Sequence, residues 1–346
     1  MSRPAPHPSP YRRLLPPRET ERAILKIKDA FQTNLAFELN LTRVTAPLFV
    51  EAGTGVNDDL NGIERPVSFR MPGVENRTAE IVQSLAKWKR LALADLGFSV
   101  GEGLYADMNA IRPDEVPDST HSLYVDQWDW ELVMDPADRT EEFLVDTVRS
   151  IYDIVRRTER FICHEYDDLT PCLPSGITVL HSEELLERYP TLSPRERERE
   201  AAREHGAIFV VGIGGFLSDG TIHDGRAPDY DDWITETAPG RRGLNGDIIV
   251  YNRVLDDAFE LSSMGIRVVA ESLRAQLAEA GATDRAGLDF HRRLLAGELP
   301  ASIGGGIGQS RLCMLYLQKA HIGEIQASIW PSEMRESCAR RGIPLL

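Results

Sequence analysis

Cysteine, basic charge and long apolar segments are all scarce in this chain. Its 346 residues include four cysteines, which show neither a Cys-x-x-Cys pair nor the spacing of a zinc site. We therefore expect free thiols in a reducing compartment, the cytoplasm. No apolar run approaches the length of a membrane span, and no apolar segment follows the basic residues near the N-terminus. We expect a protein that is neither secreted nor embedded in a membrane.

The charge balance excludes one class of partner. The chain has 54 acidic against 39 basic residues, which gives a formal net charge of −15. Tight nonspecific binding to a polyanion requires clustered lysines and arginines, because affinity comes from counterion release. We therefore predict no nucleic-acid partner, although local basic pockets are compatible with this composition.

The N-terminus differs in composition from the rest of the chain. Residues 1–17 contain six prolines with scattered arginine and serine, and such a segment can neither continue a helix nor donate to a sheet. We predict a disordered tail over residues 1–17 and a single folded domain over residues 18–346.

The folded part shows helical and strand patterns in turn. An amphipathic pattern predicts a helix from Thr20, its N-cap, to Leu39, and a proline closes the apolar strand Leu41–Pro47, which favours a sheet edge. Because the strands come in hairpins with helices between them, we predict an α+β fold with a mostly antiparallel sheet flanked by helices. Further helices are predicted over 78–96, 141–168, 182–206, 270–280 and 284–296, and strands over 110–112, 122–130, 207–211, 247–251 and 256–261.

The most informative segment is the glycine-rich run from Gly304 to Arg311. Gly304, Gly306 and Gly308 alternate, and Arg311 follows three residues later. Glycine at every second position lets the backbone approach a flat or charged ligand, and arginine supplies a planar fork for phosphate. The run predicts a nucleotide site, with a tight strand-to-helix turn and a surface arginine as the alternative.

Two commoner glycine motifs do not fit this run. A dinucleotide fingerprint needs glycine where Gln309 stands, and a P-loop needs a Gly-Lys-Ser/Thr string that the chain lacks. The predicted nucleotide site therefore belongs to another class.

Several strings resemble known families. Arg112, in a strand-loop-strand unit, and the run ending at Arg311 resemble motifs 2 and 3 of class II aminoacyl-tRNA synthetases, and the first helix and strand resemble motif 1, their dimer interface. The strings His121–Glu131, Arg226–Trp233 and Glu260–Arg267 resemble more closely the ammonia-dependent asparagine synthetases, the aspartate-ammonia ligases. The resemblance covers residues 20–335 and implies a class II synthetase-like catalytic domain.

This resemblance implies an activity and its partners. The family converts L-aspartate, ATP and ammonia into asparagine, AMP and pyrophosphate through a β-aspartyl adenylate, with Mg²⁺ on the phosphates and a homodimer as the assembly. Free ammonia is the implied donor, because a glutaminase needs a nucleophilic cysteine near the N-terminus and the first cysteine here is Cys163.

The resemblance also assigns nucleotide-binding residues. Arg112 and Arg311 are implied on the phosphates, where each charge-stabilising donor is worth about 3 kcal/mol of barrier. Asp247 and Glu260 are implied Mg²⁺ ligands, with strand-end carboxylates as the alternative. The ATP or AMP site as a whole is implied to comprise Arg112, Ser122, Val125, Asp247, Glu260, Leu261, Ser262, Gly306, Gly308 and Arg311.

Aspartate carries one ammonium and two carboxylates, so its pocket must present both signs of charge. Asp129 or Asp231 is implied for the α-ammonium, Lys89 and Arg267 for carboxylate oxygens, and Gln127 for the group being activated. The implied aspartate or asparagine site comprises Ser84, Lys89, Arg112, Gln127, Asp129, Arg226, Asp231, Ser263 and Arg267.

The amidation step needs a base, because ammonium must lose a proton before it can attack. The resemblance places Asp58 in this role, with Ser84 and Gln127 as helpers, and the neighbouring Asp59 is the alternative. The loop also departs from the family pattern, with Thr54 where an acidic residue is expected. Asp58, Arg112, Gln127 and Arg311 form the predicted catalytic set.

Two other functions are compatible with parts of this pattern. A paralogue of an aminoacyl-tRNA synthetase would pass an activated amino acid to tRNA or to a protein amine, but the acidic charge and the missing anticodon module count against it. A regulatory nucleotide-binding protein without catalysis is the second, and the joint presence of the predicted catalytic set counts against it.

Overall fold

The computed structural model describes residues 11–58, 60 and 64–346. In this part of the chain the helices are α1 Pro17–Glu38, α2 Ala86–Asp95, α3 Glu141–Glu165, α4 Ser182–Arg188, α5 Pro194–His205, α6 Ala270–Glu279, α7 Asp289–Leu295, α8 Gln309–Tyr316 and α9 Ser332–Arg340. The strands are β1 Leu41–Arg43, β2 Phe49–Glu51, β3 Ser68–Met71, β4 Arg77–Ile81, β5 Gly103–Ile111, β6 Tyr124–Val133, β7 Thr178–His181, β8 Ala207–Val211, β9 Glu236–Ala238, β10 Arg241–Arg242, β11 Asn245–Asn252, β12 Asp257–Ile266 and β13 Ser302–Gly308.

The main sheet has eight strands in the order β1-β5-β6-β13-β12-β11-β8-β7. Its inner pairs are antiparallel, and the parallel pairs β1·β5 and β7·β8 lie at its two edges. The predicted α+β fold with a mostly antiparallel sheet is confirmed, and so is the edge position of the strand that begins at Leu41.

The predicted helix over residues 78–96 is wrong in its first part. Residues 77–81 form β4, which pairs with β2 and β3 in a separate three-stranded sheet. In β4 the side chain of Ala79 is fully buried, whereas that of Arg77, the first residue of the strand, is exposed. The helix begins at Ala86, where Lys87, Lys89 and Arg90 are all buried.

The N-terminal segment is packed from residue 11 onward. Tyr11 donates a hydrogen bond to Glu324, Leu15 is buried, and the Nζ of Lys319 donates to the Leu15 carbonyl over 3.1 Å. The predicted disordered tail is therefore wrong for residues 11–17, and its first ten residues lie outside the described part. Thr20 is not the N-cap, because α1 begins at Pro17 and the Thr20 hydroxyl donates to the Pro16 carbonyl.

The charged segment predicted as one helix over residues 182–206 forms two, α4 and α5. The second begins after Ser193, whose backbone N–H donates to the Glu196 carboxylate in a capping box. Although it lies in a run of charged residues, Arg197 is buried and donates to the Tyr189 carbonyl over 3.2 Å. This contact ties α5 to the end of α4.

The apolar core lies on one face of the main sheet, beneath α1 and α3. The Phe31 and Trp128 rings stack with centroids 4.6 Å apart, and both side chains are fully buried. Because side chains alternate along β6, its other face carries the polar residues Gln127 and Asp129. The core thus fixes the strands that present the polar face.

The structure bears on two expectations from the sequence, which concern membrane spans and cysteine thiols. Within the described ranges, no helix is both long and apolar enough to cross a membrane. The four cysteines carry free thiols, and those of Cys313 and Cys338 are buried.

Replacing Phe31 by alanine tests the contribution of the α1 contact to stability. We expect Phe31→Ala to lower the free energy of unfolding by about 3–5 kcal/mol, because it removes a fully buried ring and leaves a cavity. Urea denaturation followed by circular dichroism measures this. Phe161→Ala is the matched control in α3, where the ring is 41% exposed, and an equal loss in both variants would contradict the assignment.

Candidate active site

A cavity of about 470 Å³ opens on the polar face of the main sheet. Part of its lining is a row of residues paired across three neighbouring strands. Asp129 of β6 pairs with Gly306 of β13, and Gly306 pairs with Ser263 of β12. The row continues to Asp247 of β11, which pairs with Ser263 but does not itself line the cavity. Residues directly opposite in a sheet point to the same face, so this row presents its polar groups together.

The cavity brings together most of the predicted site residues, although they come from distant parts of the chain. Asp58, Asp247 and Ser262 do not line it. Those that do are Ser84, Lys89, Arg112, Ser122, Val125, Gln127, Asp129, Arg226, Asp231, Glu260, Leu261, Ser263, Arg267, Gly306, Gly308 and Arg311.

The alternating glycines of β13 make room for neighbouring side chains. A Cβ atom at Gly304 would overlap the Glu131 carboxylate, and one at Gly306 would overlap the Gln127 amide. Both neighbours belong to β6, the adjacent strand. The idea that these glycines chiefly open the strand to a ligand therefore needs correction, because two of them accommodate polar side chains of the protein.

Beneath the glycines lies a buried ionic network. Lys89 forms an ion pair of 2.6 Å with Asp129 and lies 3.9 Å from Glu131, and its Nζ also donates to the Gly305 carbonyl. Arg267 pairs with Glu131 at 2.7 Å and with Asp231. Three carboxylates against two cations leave a formal excess of one negative charge.

The network's carboxylates differ in their electrostatics. Burial raises the pKa of Glu131, but Arg267 and Lys89 outweigh that effect and hold the pKa below its usual range. Burial also raises the pKa of Asp231, and there the opposing cations do not fully compensate. Among the described residues, the buried Oδ2 of Asp129 has no hydrogen-bond donor. This oxygen is available to a cationic ligand.

Glu131 was not among the predicted site residues, although it is the most buried member of the network. It is fully buried, and it also accepts a hydrogen bond from the Ser302 hydroxyl over 2.8 Å. The alternation of β6 from Gln127 through Asp129 to Glu131 was the signal that could have found it.

Two arginines, Arg112 and Arg311, enter the same cavity. Arg112 donates from Nη2 to the Gln83 carbonyl over 3.4 Å, and its buried Nε has no partner in the described part of the chain. Arg311 donates from Nη1 to the Glu260 carbonyl over 3.0 Å, and its Nη2 lies 3.1 Å from the Nε2 of His121. These guanidinium groups give the cavity a cationic region suited to phosphate.

Asp247 and Glu260 lie beside Arg226 at the edge of the cavity. The Oδ2 of Asp247 accepts from Arg226, whereas its buried Oδ1 has no hydrogen-bond partner among the described residues. Burial, together with the neighbouring charge of Glu260, raises the pKa of Asp247 to about 7, against the attraction of Arg226. The Glu260 carboxylate lies 3.3 Å from Arg311.

This pair fits a magnesium ion held jointly with a substrate. Two carboxylates with an unsatisfied oxygen match the habit of Mg²⁺, which binds through one or two carboxylates, phosphate oxygens and water. The described ranges contain no group of three or more His, Cys, Asp or Glu placed to hold a metal ion by themselves.

Ser262 does not line the cavity, and its predicted place in the nucleotide site stays a prediction. A register shift between β11 and β12 pairs Ile248 with Ser262 and Ile249 with Glu260, so Leu261 is an extra residue in the ladder. The shift turns Glu260 and Ser263 toward the cavity. The Ser262 hydroxyl instead donates to the Gly306 carbonyl.

Asp58 is buried behind the cavity wall. Its Oδ1 accepts a hydrogen bond from the Leu60 backbone N–H over 3.1 Å, and its backbone carbonyl accepts from the Gln83 amide over 2.9 Å. Burial and the charge of Asp58 raise the pKa of Tyr230, which does line the cavity. Asp59, the alternative base, lies outside the described residues.

Comparisons with known proteins agree with this geometry. Residues 18–342 match the family described as aspartate-ammonia ligase. The chain is 56% identical to an aspartate-ammonia ligase of Parabacteroides distasonis and 54% identical to one of Bacteroides thetaiotaomicron. Each match covers 98% of both sequences.

Solved structures that resemble this one are longer proteins. An Entamoeba histolytica asparaginyl-tRNA synthetase with asparaginyl-adenylate matches with a TM-score of 0.66 at 14% identity, over 90% of this chain and 66% of that one. The Pyrococcus horikoshii asparaginyl-tRNA synthetase with the same adenylate gives 0.65 at 16% identity, over 90% and 70%. These likenesses show a class II synthetase catalytic fold, and the match over nearly the whole sequence shows that the chain belongs to the aspartate-ammonia ligase family.

Proposed function

We propose that this protein joins ammonia to the side-chain carboxyl of L-aspartate at the expense of ATP, giving L-asparagine, AMP and pyrophosphate. One observation carries the proposal: a single cavity combines a mixed-charge network suited to an amino acid with two arginines suited to phosphate, in a member of this family. The cavity's size also suits a small ligand rather than a macromolecule.

In the first step the aspartate carboxylate attacks the α-phosphate, and pyrophosphate leaves. Arg112 and Arg311 would stabilise the charge that develops on the phosphate oxygens, each by about 3 kcal/mol. Arg311 would exchange its Glu260 partner for phosphate. Asp247 and Glu260 would hold Mg²⁺, which neutralises the β- and γ-phosphates when bound. The unsatisfied Oδ1 of Asp247 supports this role.

Aspartate would bind over the ionic network. The unpaired Oδ2 of Asp129 favours this residue over Asp231 for the α-ammonium, because Asp231 is already paired with Arg267. Lys89 and Arg112 would address the carboxylates. Gln127, held beside Gly306, would orient the group being activated. The remaining aspartate contacts would come from Ser84, Arg226, Ser263 and Arg267.

The proposed nucleotide contacts are likewise made by residues that line the cavity. The residues that would surround AMP, besides the phosphate-binding arginines, are Ser122, Val125, Leu261, Gly306 and Gly308, all of which line the cavity.

We also propose a cytoplasmic homodimer that binds no nucleic acid. The outer face of α1 exposes large apolar side chains, with Phe37 87% and Leu25 63% exposed. Burial of such residues between two copies would remove apolar surface from water, which supports a dimer through α1 and β1. The net charge of −15 supports the absence of a polyanionic partner.

Isotope exchange followed by product analysis tests the reaction. We expect exchange of labelled pyrophosphate into ATP that depends on aspartate, and asparagine formation when ammonium is added. Ammonium, glutamine and tRNA are supplied in separate reactions. Absence of aspartate-dependent exchange would refute the proposal, and exchange with transfer to tRNA alone would favour the synthetase paralogue.

Changing Asp58 to asparagine separates the two chemical steps. We expect Asp58→Asn to lower asparagine synthesis from ammonium by about 100-fold or more, because general base catalysis contributes that much, while pyrophosphate exchange changes little. The measurement is the ratio of the two rates in one preparation. Equal losses in both would reassign Asp58 to aspartate binding.

A methyl group on Gly306 tests the role of the glycine ladder. We expect Gly306→Ala to lower exchange and synthesis by about 10- to 100-fold, because the added Cβ displaces Gln127 and β13 is held by strands on both sides. Gly287→Ala is the control, since a Cβ there meets open space. Full activity in Gly306→Ala would show that the close approach is unimportant.

A further inference from the structure

Asp126 is a charged residue on the apolar face of β6. Trp128 and Trp130, which follow at alternate positions on the same strand, are fully buried in the core, and Asp126 itself is only 7% exposed. A carboxylate in such a place is rare unless it is paired. Both oxygens of Asp126 have partners, and these partners belong to two different helices.

One oxygen of Asp126 caps α8. The Oδ1 accepts a hydrogen bond from the Ser310 backbone N–H over 3.0 Å, in a buried position. The first N–H groups of a helix need acceptors from outside the helix, but Gly308, the residue before α8, has no side chain that could serve. Asp126 therefore supplies, from a neighbouring part of the sheet, the cap that the local sequence lacks.

The other oxygen of Asp126 is held by α1. Its Oδ2 accepts a hydrogen bond from the Nζ of Lys28 over 3.2 Å, and the Lys28 side chain is half-buried. This ion pair compensates the charge of the buried carboxylate and keeps its other oxygen turned toward α8.

A second aspartate repeats the same arrangement one residue earlier in α8. The Nε2 of Gln309 donates to the Oδ1 of Asp107 over 3.0 Å, and the Oδ2 of Asp107 pairs with Arg43 of β1 at 2.7 Å. Asp107 and Asp126 thus each use one oxygen for α8 and the other for a cation. The first turn of α8 is held at two successive residues.

Arg311 is the next residue along α8, and its position depends on this turn. All other residues of α8 are buried, whereas Arg311 is half-buried and lines the cavity. Its side chain lies against Gly308, because a Cβ atom there would meet the Cβ of Arg311 at 3.1 Å. A shift of the first turn would therefore move the Arg311 guanidinium within the cavity.

We propose that Asp126 is a positioning residue for adenylate formation, which fixes the first turn of α8 and so holds Arg311 where it meets the α-phosphate. The proposal rests on the proposed function and gives Asp126 a role that is exerted through Arg311. Placement matters here because a displacement of about 1 Å costs about 100-fold in rate.

Replacing Asp126 by alanine removes the cap. We expect Asp126→Ala to lower the maximal rate of aspartate-dependent pyrophosphate exchange by about 10- to 100-fold, while the KM for aspartate stays within about twofold. Asparagine synthesis from ammonium should fall with it, because both reactions pass through the adenylate. A KM for aspartate that rises as strongly as the rate falls would overturn the proposal.

Replacing Asp126 by asparagine keeps an oxygen that can accept from the Ser310 N–H. Asparagine and aspartate cap helices about equally well, so we expect Asp126→Asn to retain exchange within about threefold of wild type. An asparagine variant as slow as the alanine variant would overturn the proposal. Circular dichroism checks the fold of each variant. Should Asp126→Ala fail to fold, Lys28→Met/Asp126→Ala removes the unpaired ammonium as well and serves the same comparison.

A double variant separates positioning from a general loss of structure. Arg311→Ala/Asp126→Ala should exchange pyrophosphate no more than about threefold slower than Arg311→Ala alone, because Asp126 acts through Arg311. A further tenfold loss would overturn the proposal, since Asp126 would then act by another route.

Asp135→Ala is the matched control. The Oδ1 of Asp135 accepts a hydrogen bond from the Ala137 backbone N–H over 2.8 Å at the start of a short helix, and Asp135 does not line the cavity. Its exchange rate should equal wild type, and an equal loss in Asp135→Ala and Asp126→Ala would overturn the proposal. If wild-type protein shows no exchange with aspartate, the proposed function itself has failed.

Discussion

The balance of buried charge beneath β13 is the constraint on which the rest of the site depends. Glu131, Arg267 and Lys89 are almost completely excluded from water, and each is tolerated because an opposite charge lies beside it. Removing one partner of such a group typically costs about 3–5 kcal/mol, because the other charge stays buried. The glycines of β13 provide the space that these side chains need. Stability and substrate recognition therefore share the same atoms.

This charge distribution also makes the two ends of the cavity electrostatically different. Its floor near Asp129 has one more negative than positive charge, and the region of Arg112 and Arg311 is cationic. A ligand with an ammonium at one end and phosphates at the other is favoured in one orientation, before any specific contact is considered.

The sequence was sufficient for the fold class and for much of the site. Hairpin patterns predicted the antiparallel sheet, and Gly306, Gln127 and Arg311, which were taken from strings that keep their spacing, all line the cavity. The failures have physical causes. The turn of the Ser262 side chain away from the cavity was not foreseen, because an extra residue in the ladder reverses side-chain alternation and nothing in the local sequence marks that bulge. Residues 77–81 form a strand because two other strands pair with them, a tertiary effect that helical spacing conceals.

Glu131 was missed for a different reason. It stands inside a string that was recognised, but its role depends on what lies across the sheet. The pairing of Glu131 with Arg267 does not follow from spacing along the chain. Such contacts become predictable once the strand order is known.

The strand order also has a consequence for how the chain is made. Of the strands described, β13 is the last in the sequence, yet it lies at the centre of the sheet between β6 and β12. While a ribosome is still adding residues, those two strands expose unpaired edges, and Glu131 and Arg267 stand without the strand that covers them. Tyr11 must likewise wait for Glu324. The nascent chain therefore cannot complete its catalytic centre until almost all of it has been synthesised, which lengthens the time during which chaperones can act on it.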